Sequence, residues 1–307
     1  RAVPLSANAG LCFLSDTKGG PFEIGAVLAT RFLASPNPDG RNNADVVRRS
    51  LNAADVAGRA RAMWIIDFGV DMPEHEAALY ELPFEYVKEH VLPVRLGNAR
   101  ERYRQLWWLH VEPRPGMRGA LQRLTRYIAT PAVSRHRLFV WVDGDVLADH
   151  RLLVIASDAD YMFGVLHSRV HEVWALATGS QLREAESGFT YTPSSCFETF
   201  PFPDPTTEQR ERVGEAARRL VGLRDDWLNP PGLEPDELEK RTLTNLYNQR
   251  PTWLANAHAD LDAAVFAAYG WPAELTDTAI LERLLAHNVT RSAAEQSDVG
   301  QLVGAED

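Results

Sequence analysis

The stretch at residues 187–203 constrains the fold more than any other part of the chain. It reads SGFTYTPSSCFETFPFP, a β-rich piece followed by a Pro-Ser-Ser turn and a second apolar piece. Pro201 and Pro203 each fix φ, remove a backbone N–H donor and disfavour a helical conformation in the residue before them. A long helical pattern begins shortly after Thr206. The stretch therefore predicts a boundary between two kinds of architecture.

The two sides of this boundary differ in their hydrophobic periodicity. Upstream, strand patterns alternate with helix patterns, and downstream the pattern is helical throughout. We predict strands at 63–68, 128–133, 137–142 and 152–156, and helices at 43–51, 74–91, 161–178, 208–227, 235–247, 253–269 and 276–288. The predicted fold class is mixed α/β (α+β): a domain of short strands with flanking helices at 1–203, followed by an all-helical C-terminal domain at 204–307.

Length and cysteine content set the broad class. At 307 residues the chain has room for two domains, and its apolar runs are too short for a membrane span. The chain starts without Met or a signal-peptide pattern, so we expect a piece of a longer protein. Cys12 and Cys196 are far apart in sequence. We expect two buried thiols in a reducing cytosol rather than a disulfide, and therefore a cytoplasmic protein.

The net charge of −10 conceals an uneven distribution. Residues 95–151 contain 11 arginines, no lysine and 5 acidic residues, whereas residues 204–307 contain 10 basic and 19 acidic residues. The local field decides whether a phosphate backbone is attracted, and arginine binds phosphate and guanine in a bidentate way. The alternative is that these arginines form solvated helix faces that pair with acidic neighbours. From the residues alone both interpretations stay open.

A complete active site is not visible in the sequence. His167 and His171 are four residues apart and could share a helix face for a metal, but the spacing suggests no third ligand. We therefore favour a structural histidine pair and predict no metal. The chain has neither a Gly-rich phosphate loop nor a Gly-x-Ser-x-Gly elbow, and we predict no catalytic residue and no cofactor-binding residue.

An ordered set of segments resembles a known family. It is similar to the C-terminal part of large class I SAM-dependent DNA adenine methyltransferases, of the MmeI-like type IIL/IIG restriction–modification kind and their phage-defence relatives. The segments are residues 63–68, 107–115, 132–136, 163–174, 191–203, 241–248 and 261–271. In that family a methylase domain with a SAM loop and an Asn-Pro-Pro-Tyr motif precedes this region. Here Asn229-Pro230-Pro231 is followed by Gly232, which lacks the aromatic ring.

The resemblance implies sequence-specific recognition of double-stranded DNA by the target-recognition fragment of a SAM-dependent DNA (adenine-N6) methyltransferase. The implied partners are double-stranded DNA and the N-terminal methyltransferase domain of the parent chain. The fragment would hold no cofactor and be inactive alone, while S-adenosylmethionine would serve the full-length protein. The alternative is a protein-interaction module of a defence complex that does not contact DNA.

The resemblance also assigns roles to residues. It places base reading just before the Tyr191-Thr192 pair, where a carboxylate can accept from cytosine N4 and a threonine can contact a thymine methyl. The base-reading candidates are Glu186, Ser187, Gly188 and Thr190. The phosphate-contacting or positioning candidates are Arg102, Arg104, Arg114, Arg118, Ser134, Arg135, His136, Arg137 and Arg169. The acidic helical domain is expected to face away from DNA.

Overall fold

The computed structural model describes residues 2–181 and 188–303, and the side chains of 2–180 and 188–297. Its strands are short and concentrated in the upstream two thirds of the chain. They are β1 Cys12–Leu14, β2 Glu23–Ile24, β3 Val47–Leu51, β4 Trp64–Ile66, β5 Arg126–Pro131, β6 Val133–Ser134, β7 Val140–Asp143, β8 Leu147–Ala148, β9 Leu152–Ile155, β10 Ser180–Gln181 and β11 Phe189–Thr190.

Helices flank these strands and then make up the rest of the chain. They are α1 Ala26–Ala34, α2 Ala53–Ala57, α3 Glu74–Ala77, α4 Glu81–His90, α5 Leu92–Leu96, α6 Glu101–Gln105, α7 Pro115–Leu121, α8 Asp160–His167, α9 Arg169–Thr178, α10 Thr207–Leu228, α11 Pro235–Glu239, α12 Leu243–Gln249, α13 Thr252–Ala268 and α14 Asp277–Val303. The mixed α/β class and the helical C-terminal part are confirmed. In the described part of the chain, the helices are too short or too polar to cross a bilayer.

The strands form three sheets. The central sheet has the antiparallel order β1-β9-β5-β7, and β9 is buried along its whole length. A second sheet has the order β2-β4-β3-β8, with β8 parallel to β3. The third has the antiparallel order β10-β11-β6, and we call it the small sheet. Because a single residue separates β5 from β6, the small sheet extends directly from the central one.

Several secondary-structure predictions were wrong, and the helices predicted at 74–91 and 235–247 are each divided in two. Two further errors have local reasons. Residues 43–51 form a 3-10 turn and then β3, because the buried side chain of Asn43 donates to the carbonyls of Phe32 and Ser35 and ends any helix there. The helix predicted at 161–178 is divided at Ser168, whose hydroxyl accepts from the N–H of His171 and so caps α9.

Helices from both sides of residue 203 share a hydrophobic core. α10 begins at a capping box formed by Thr206 and Gln209, and it buries Val213, Ala217 and Leu220 against α8 and α13. A Cβ at Gly164 of α8 would overlap the side chain of Val213, so glycine permits this close helix contact. The domain boundary at residue 203 stays a prediction.

The proline-rich stretch packs as a structural junction. Pro193–Phe197 forms a π-helix rather than the predicted turn, and the rings of Phe197, Phe200 and Phe202 are buried in mutual edge contacts. Asn8 donates to the Phe200 carbonyl (2.7 Å), and Asn288 of α14 donates to the Thr199 carbonyl (2.8 Å). The stretch thus connects both ends of the chain. Cys12 and Cys196 are free and buried, as expected.

Candidate nucleic-acid interface

The small sheet positions most of the predicted base-reading residues. In the hairpin β10–β11, Ser180 pairs with Thr190 and Gln181 with Phe189. On the other side of β11, Phe189 pairs with Ser134 and Thr190 with Val133. Because this pairing is antiparallel, β6 ends where β11 begins. Arg135 and His136 therefore follow β6 at the same end of the sheet as Gly188, and we call this the outer end of the small sheet.

Gly188 allows the two strands to meet at the outer end. Its φ is +85°, and a Cβ there would overlap the Ser134 carbonyl. Only glycine avoids both the conformational cost and the overlap. Thr190 is half-buried in the hairpin stem. Glu186 and Ser187 lie outside the described residues, and the base-reading roles of all four residues stay predictions.

Arg137 has an internal role, which corrects its assignment as a phosphate contact. It is 5% exposed, and it donates to Thr130 Oγ1 (2.9 Å) and to the carbonyls of Pro131 (2.5 Å) and Phe189 (3.4 Å). The guanidinium lies 4.6 Å from the ring centre of Phe189, and burial lowers the pKa of Arg137 to about 10. Its N–H groups link β11 to β5 by hydrogen bonds and do not face the solvent.

Arg135 is oriented the other way. It is exposed, and its guanidinium makes no hydrogen bond or ion pair within the described part of the chain. Ser134 Oγ donates to the His136 carbonyl (2.6 Å), and His136 Nε2 donates to Asn248 Oδ1 on α12 (2.8 Å). Ser134 and His136 therefore hold the loop, and Arg135 presents a free cation at the outer end.

Three other candidates lie outside the small sheet. Arg104 of α6 donates to the carbonyls of Asn98 (2.6 Å) and Ala99 (3.2 Å), which closes the loop before that helix. Arg102 is exposed on the same helix. Arg169, at the start of α9, pairs with Asp277 of α14 at 2.5 Å. The roles of these three residues in DNA binding stay predictions.

Arg118 is half-buried and bonds the buried residues Asp16 and Asp67 beside buried His110, and we call these four residues the ion cluster. Its guanidinium donates to Asp67 (2.8 and 3.0 Å) and also bonds Asp16. His110 Nδ1 lies 3.1 Å from Asp16 and its Nε2 lies 3.0 Å from the Ile66 carbonyl. Both ring nitrogens of His110 therefore face oxygen atoms. Arg118 thus bonds carboxylates inside the protein, which corrects its prediction as a phosphate contact.

The electrostatics of the ion cluster agree with this structural role. Burial opposes ionisation of Asp67, but His110 and Arg118 outweigh it and hold the pKa of Asp67 far below its usual value. Burial likewise opposes the charge on Arg118, and the two carboxylates raise its pKa above the usual range. Ligand atoms of Asp16, Asp67 and His110 lie within 4.8 Å of one another, as in a metal site. The positive charge at these carboxylates is already supplied by the guanidinium of Arg118.

Arg114 lies next to this cluster in sequence. Its φ is +47°, and its side chain approaches the Ser15 carbonyl (3.4 Å) and Glu112 (3.2 Å). It is half-buried, and its phosphate role stays a prediction.

The histidine pair on α8 and α9 is structural, as predicted. His171 Nε2 lies 2.8 Å from the Tyr191 hydroxyl, and His167 Nε2 lies 3.0 Å from the Phe139 carbonyl and 2.8 Å from Arg224. Burial lowers the pKa of both histidines. The sequence analysis missed Asn248, because it is 112 residues from His136 and no local pattern links them.

Comparisons with known proteins identify this region. Residues 120–204 match the family model described as the MmeI target recognition domain. The match confirms the predicted resemblance and includes the small sheet, the outer end and Arg137. The matching segment thus includes the part of the chain in which Gly188, Thr190, Ser134, Arg135 and His136 come together.

Two longer proteins are also similar. DNA methyltransferase A of Bacillus subtilis (strain 168) is 30% identical over 164 residues, which cover 52% of this chain and 17% of that protein. The solved structure of the type IIL restriction–modification enzyme MmeI in complex with DNA matches with a TM-score of 0.71 and 21% identity. That match covers 95% of this chain and 36% of the MmeI chain, and it supports the fold. The chain therefore spans well under half of either relative.

Proposed function

We propose that this chain recognises a short sequence in double-stranded DNA, as the target-recognition part of a SAM-dependent DNA adenine-N6 methyltransferase of restriction–modification or phage-defence type. The observation that carries the proposal is the outer end of the small sheet. There a hairpin, an arginine with no partner among the described residues, and a loop held by hydrogen bonds come together within the segment that matches the target recognition domain.

The chemistry of the outer end suits this role. A hairpin can enter the major groove, where base edges present distinct donors and acceptors. Arg135, held beside the hairpin, is placed to contact a phosphate and so set the register of the hairpin along the duplex. The buried side chains of Phe189 and Arg137 stabilise the stem from below. A stable stem reduces the ordering cost of binding.

We infer that S-adenosylmethionine binds outside this chain, because the groove beside Trp174 is poorly matched to it. The groove has a volume of about 830 Å³ and is lined largely by apolar side chains, among them Trp174, Leu281 and Leu285. Its polar groups are hydroxyls such as those of Ser195 and Thr199, and the described residues that line it include no carboxylate. Nucleotide ribose hydroxyls are commonly bound by Asp or Glu. We therefore assign the cofactor and methyl transfer to a methyltransferase domain of the intact protein.

DNA binding is tested by titrating the chain into a fluorescent random-sequence duplex of about 40 bp, at 50 to 200 mM salt. We expect Kd to rise steeply with salt, by roughly 10³-fold for about six phosphate contacts. Selection from the random pool should then enrich one short motif. Absence of binding at 50 mM salt would overturn the proposal and favour a protein-interaction module.

The cofactor assignment has a separate test. Thermal unfolding of this chain should be unchanged by SAM, whereas the intact protein should be stabilised. Sequencing of methylated bases in the source cell, with and without the gene, should show adenine methylation at the motif selected by the chain. Methylation of cytosine in place of adenine would contradict the adenine assignment and leave DNA recognition intact.

A further inference from the structure

We propose that the C-terminal end of α12, residues 248–250, belongs to the DNA-binding face and that Arg250 contacts a phosphate beside the recognised bases. The proposal rests on the proposed function and adds a contact from the helical part of the chain. That part was expected to face away from DNA, because residues 204–307 contain 19 acidic and 10 basic residues.

The first observation is the position of α12 against the outer end. His136 Nε2 donates to Asn248 Oδ1 at 2.8 Å, and the rings of His136 and Tyr247 lie 5.9 Å apart. Tyr247 is itself fixed, because its hydroxyl lies 2.9 Å from His258 Nε2 on α13. The last turn of α12 is therefore held beside Arg135, at the end of the small sheet from which the hairpin loop leaves.

The second observation is the backbone of Arg250. It follows the last residue of α12 with φ +41° and ψ +62°, in the left-handed region. Glycine is the usual residue at this position after a helix, and a residue with a Cβ is less stable there. The N–H of Arg250 donates to the Leu246 carbonyl (2.8 Å) and so closes α12, but an arginine does this at a higher conformational cost than a glycine would. Such outliers cluster at functional sites.

The third observation is the state of the Arg250 side chain. It is exposed, and within the described residues its guanidinium has neither a hydrogen-bond acceptor nor an ion-pair partner. Its charge acts on Glu172 of α9 and on Asp262 of α13, but neither carboxylate lies within 4 Å of it. Arg250 and Arg135 thus offer free guanidinium groups from two elements joined by the His136–Asn248 bond. Phosphates along one groove edge are the partners that suit this pair.

The experiment compares R250G, R250K and R135A with the wild-type chain, using the random-sequence duplex. In R250G we expect Kd to rise roughly 3- to 10-fold at 150 mM salt, and the salt dependence to become shallower by about one counterion. R250K should retain most of the affinity. R250G should unfold at the same temperature as wild type or higher, since glycine accepts positive φ, so weaker binding would not reflect unfolding. The matched control is R212A, which removes an exposed arginine from α10.

A second measurement reports proximity without depending on charge. A benzoylphenylalanine placed at Gln249, which is exposed, should crosslink to the duplex under light, and the same group at exposed Gln296 of α14 should not. If R135A weakens binding while R250G does not, or if position 249 gives no crosslink, the inference is overturned and the proposed function stands. If the wild-type chain itself does not bind, the proposed function fails first.

Discussion

The outer end of the small sheet and the ion cluster both take arginines from the stretch 95–151, but they use them in opposite ways. Arg135 is exposed and makes no bond within the described residues, whereas Arg118 bonds two buried carboxylates. The difference lies in the neighbours and not in the arginines. Asp16 and Asp67, buried by β1 and β4 and their loops, attract Arg118 inward, while no carboxylate of the described residues pairs with Arg135 at the outer end. A basic stretch can thus contain both a binding surface and a structural network.

The largest effect should come from opening the ion cluster. In Arg118→Met, Asp16 and Asp67 lose their shared cation, and the free energy of unfolding should fall by about 3–5 kcal/mol, because a buried charge is left unpaired. Urea unfolding measures this. Arg102→Met, on an exposed position of α6, should change stability by less than about 0.5 kcal/mol. If both substitutions changed stability equally, the pairing of Arg118 with buried carboxylates would not distinguish it from an exposed arginine.

The next effect concerns the stem of the small sheet. Gly188→Ala places a methyl group against the Ser134 carbonyl at a φ of +85°. We expect a stability loss of about 2 kcal/mol and a loss of DNA affinity of at least roughly tenfold, through strain and strand separation. Gly40→Ala is the matched control, because Gly40 has a φ of +79° and open space around its Cβ position. If both variants bind DNA equally, the contact between the strands does not matter for binding.

The outer end of the small sheet and the ion cluster should lose their contributions to stability in different pH ranges. Burial and the charges of Arg224 and Arg250 lower the pKa of His258, near the outer end, to about 4. In the unfolded chain His258 binds a proton near pH 6.5. The stability that neutral His258 contributes to the folded chain is therefore present above that pH and is lost as the pH falls toward 4. From pH 7 to pH 5 the contribution of His258 should be about 1–2 kcal/mol. The pKa of Asp67 is lowered in the folded chain. Its contribution to stability is therefore present above pH 4, near the pKa of an aspartate in the unfolded chain, and is lost only as the pH falls below that value.

The two pH ranges are measured by urea unfolding of wild type and His258→Gln at a series of pH values from about 7 to about 3. The variant should lose less stability than wild type across this interval, and the two curves should run parallel below pH 4, where Asp67 dominates. An unchanged slope in His258→Gln would show that the histidine does not titrate on unfolding as its burial implies.

The smallest effect should come from Arg135 itself. Arg135→Ala should leave stability within about 0.5 kcal/mol, because its side chain makes no bond within the described residues. Its DNA affinity at 150 mM salt should fall roughly 3- to 10-fold, with a shallower salt dependence. Arg123→Ala, an exposed arginine of the same basic stretch after α7, serves as the control. If only Arg123→Ala lost DNA binding, the DNA interface would have to lie elsewhere than at the outer end.

Much of the architecture could be predicted because it depends on local patterns. The buried strands β5 and β9 come from continuous apolar runs, and α10 and α13 from helical periodicity with clear starting signals. The errors occurred where one side chain decided the local backbone. Asn43 ends the helical pattern through hydrogen bonds to α1 and its C-cap, and Ser168 divides what reads as one helix. Such bonds depend on partners that a periodicity does not contain.

The sequence by itself determined the change of architecture at the prolines and the resemblance of segments between residues 63 and 271 to the C-terminal region of MmeI-like enzymes. Only the tertiary structure decided which arginines face outward. Arg135 and Arg137 are two residues apart, but one follows β6 into solvent while the other lies between β5 and β11. Likewise only folding brings Asn248 to His136 across 112 residues. The physical reason is that burial and pairing depend on strands and helices distant in sequence, whereas backbone limits and hydrophobic periodicity act within a few residues.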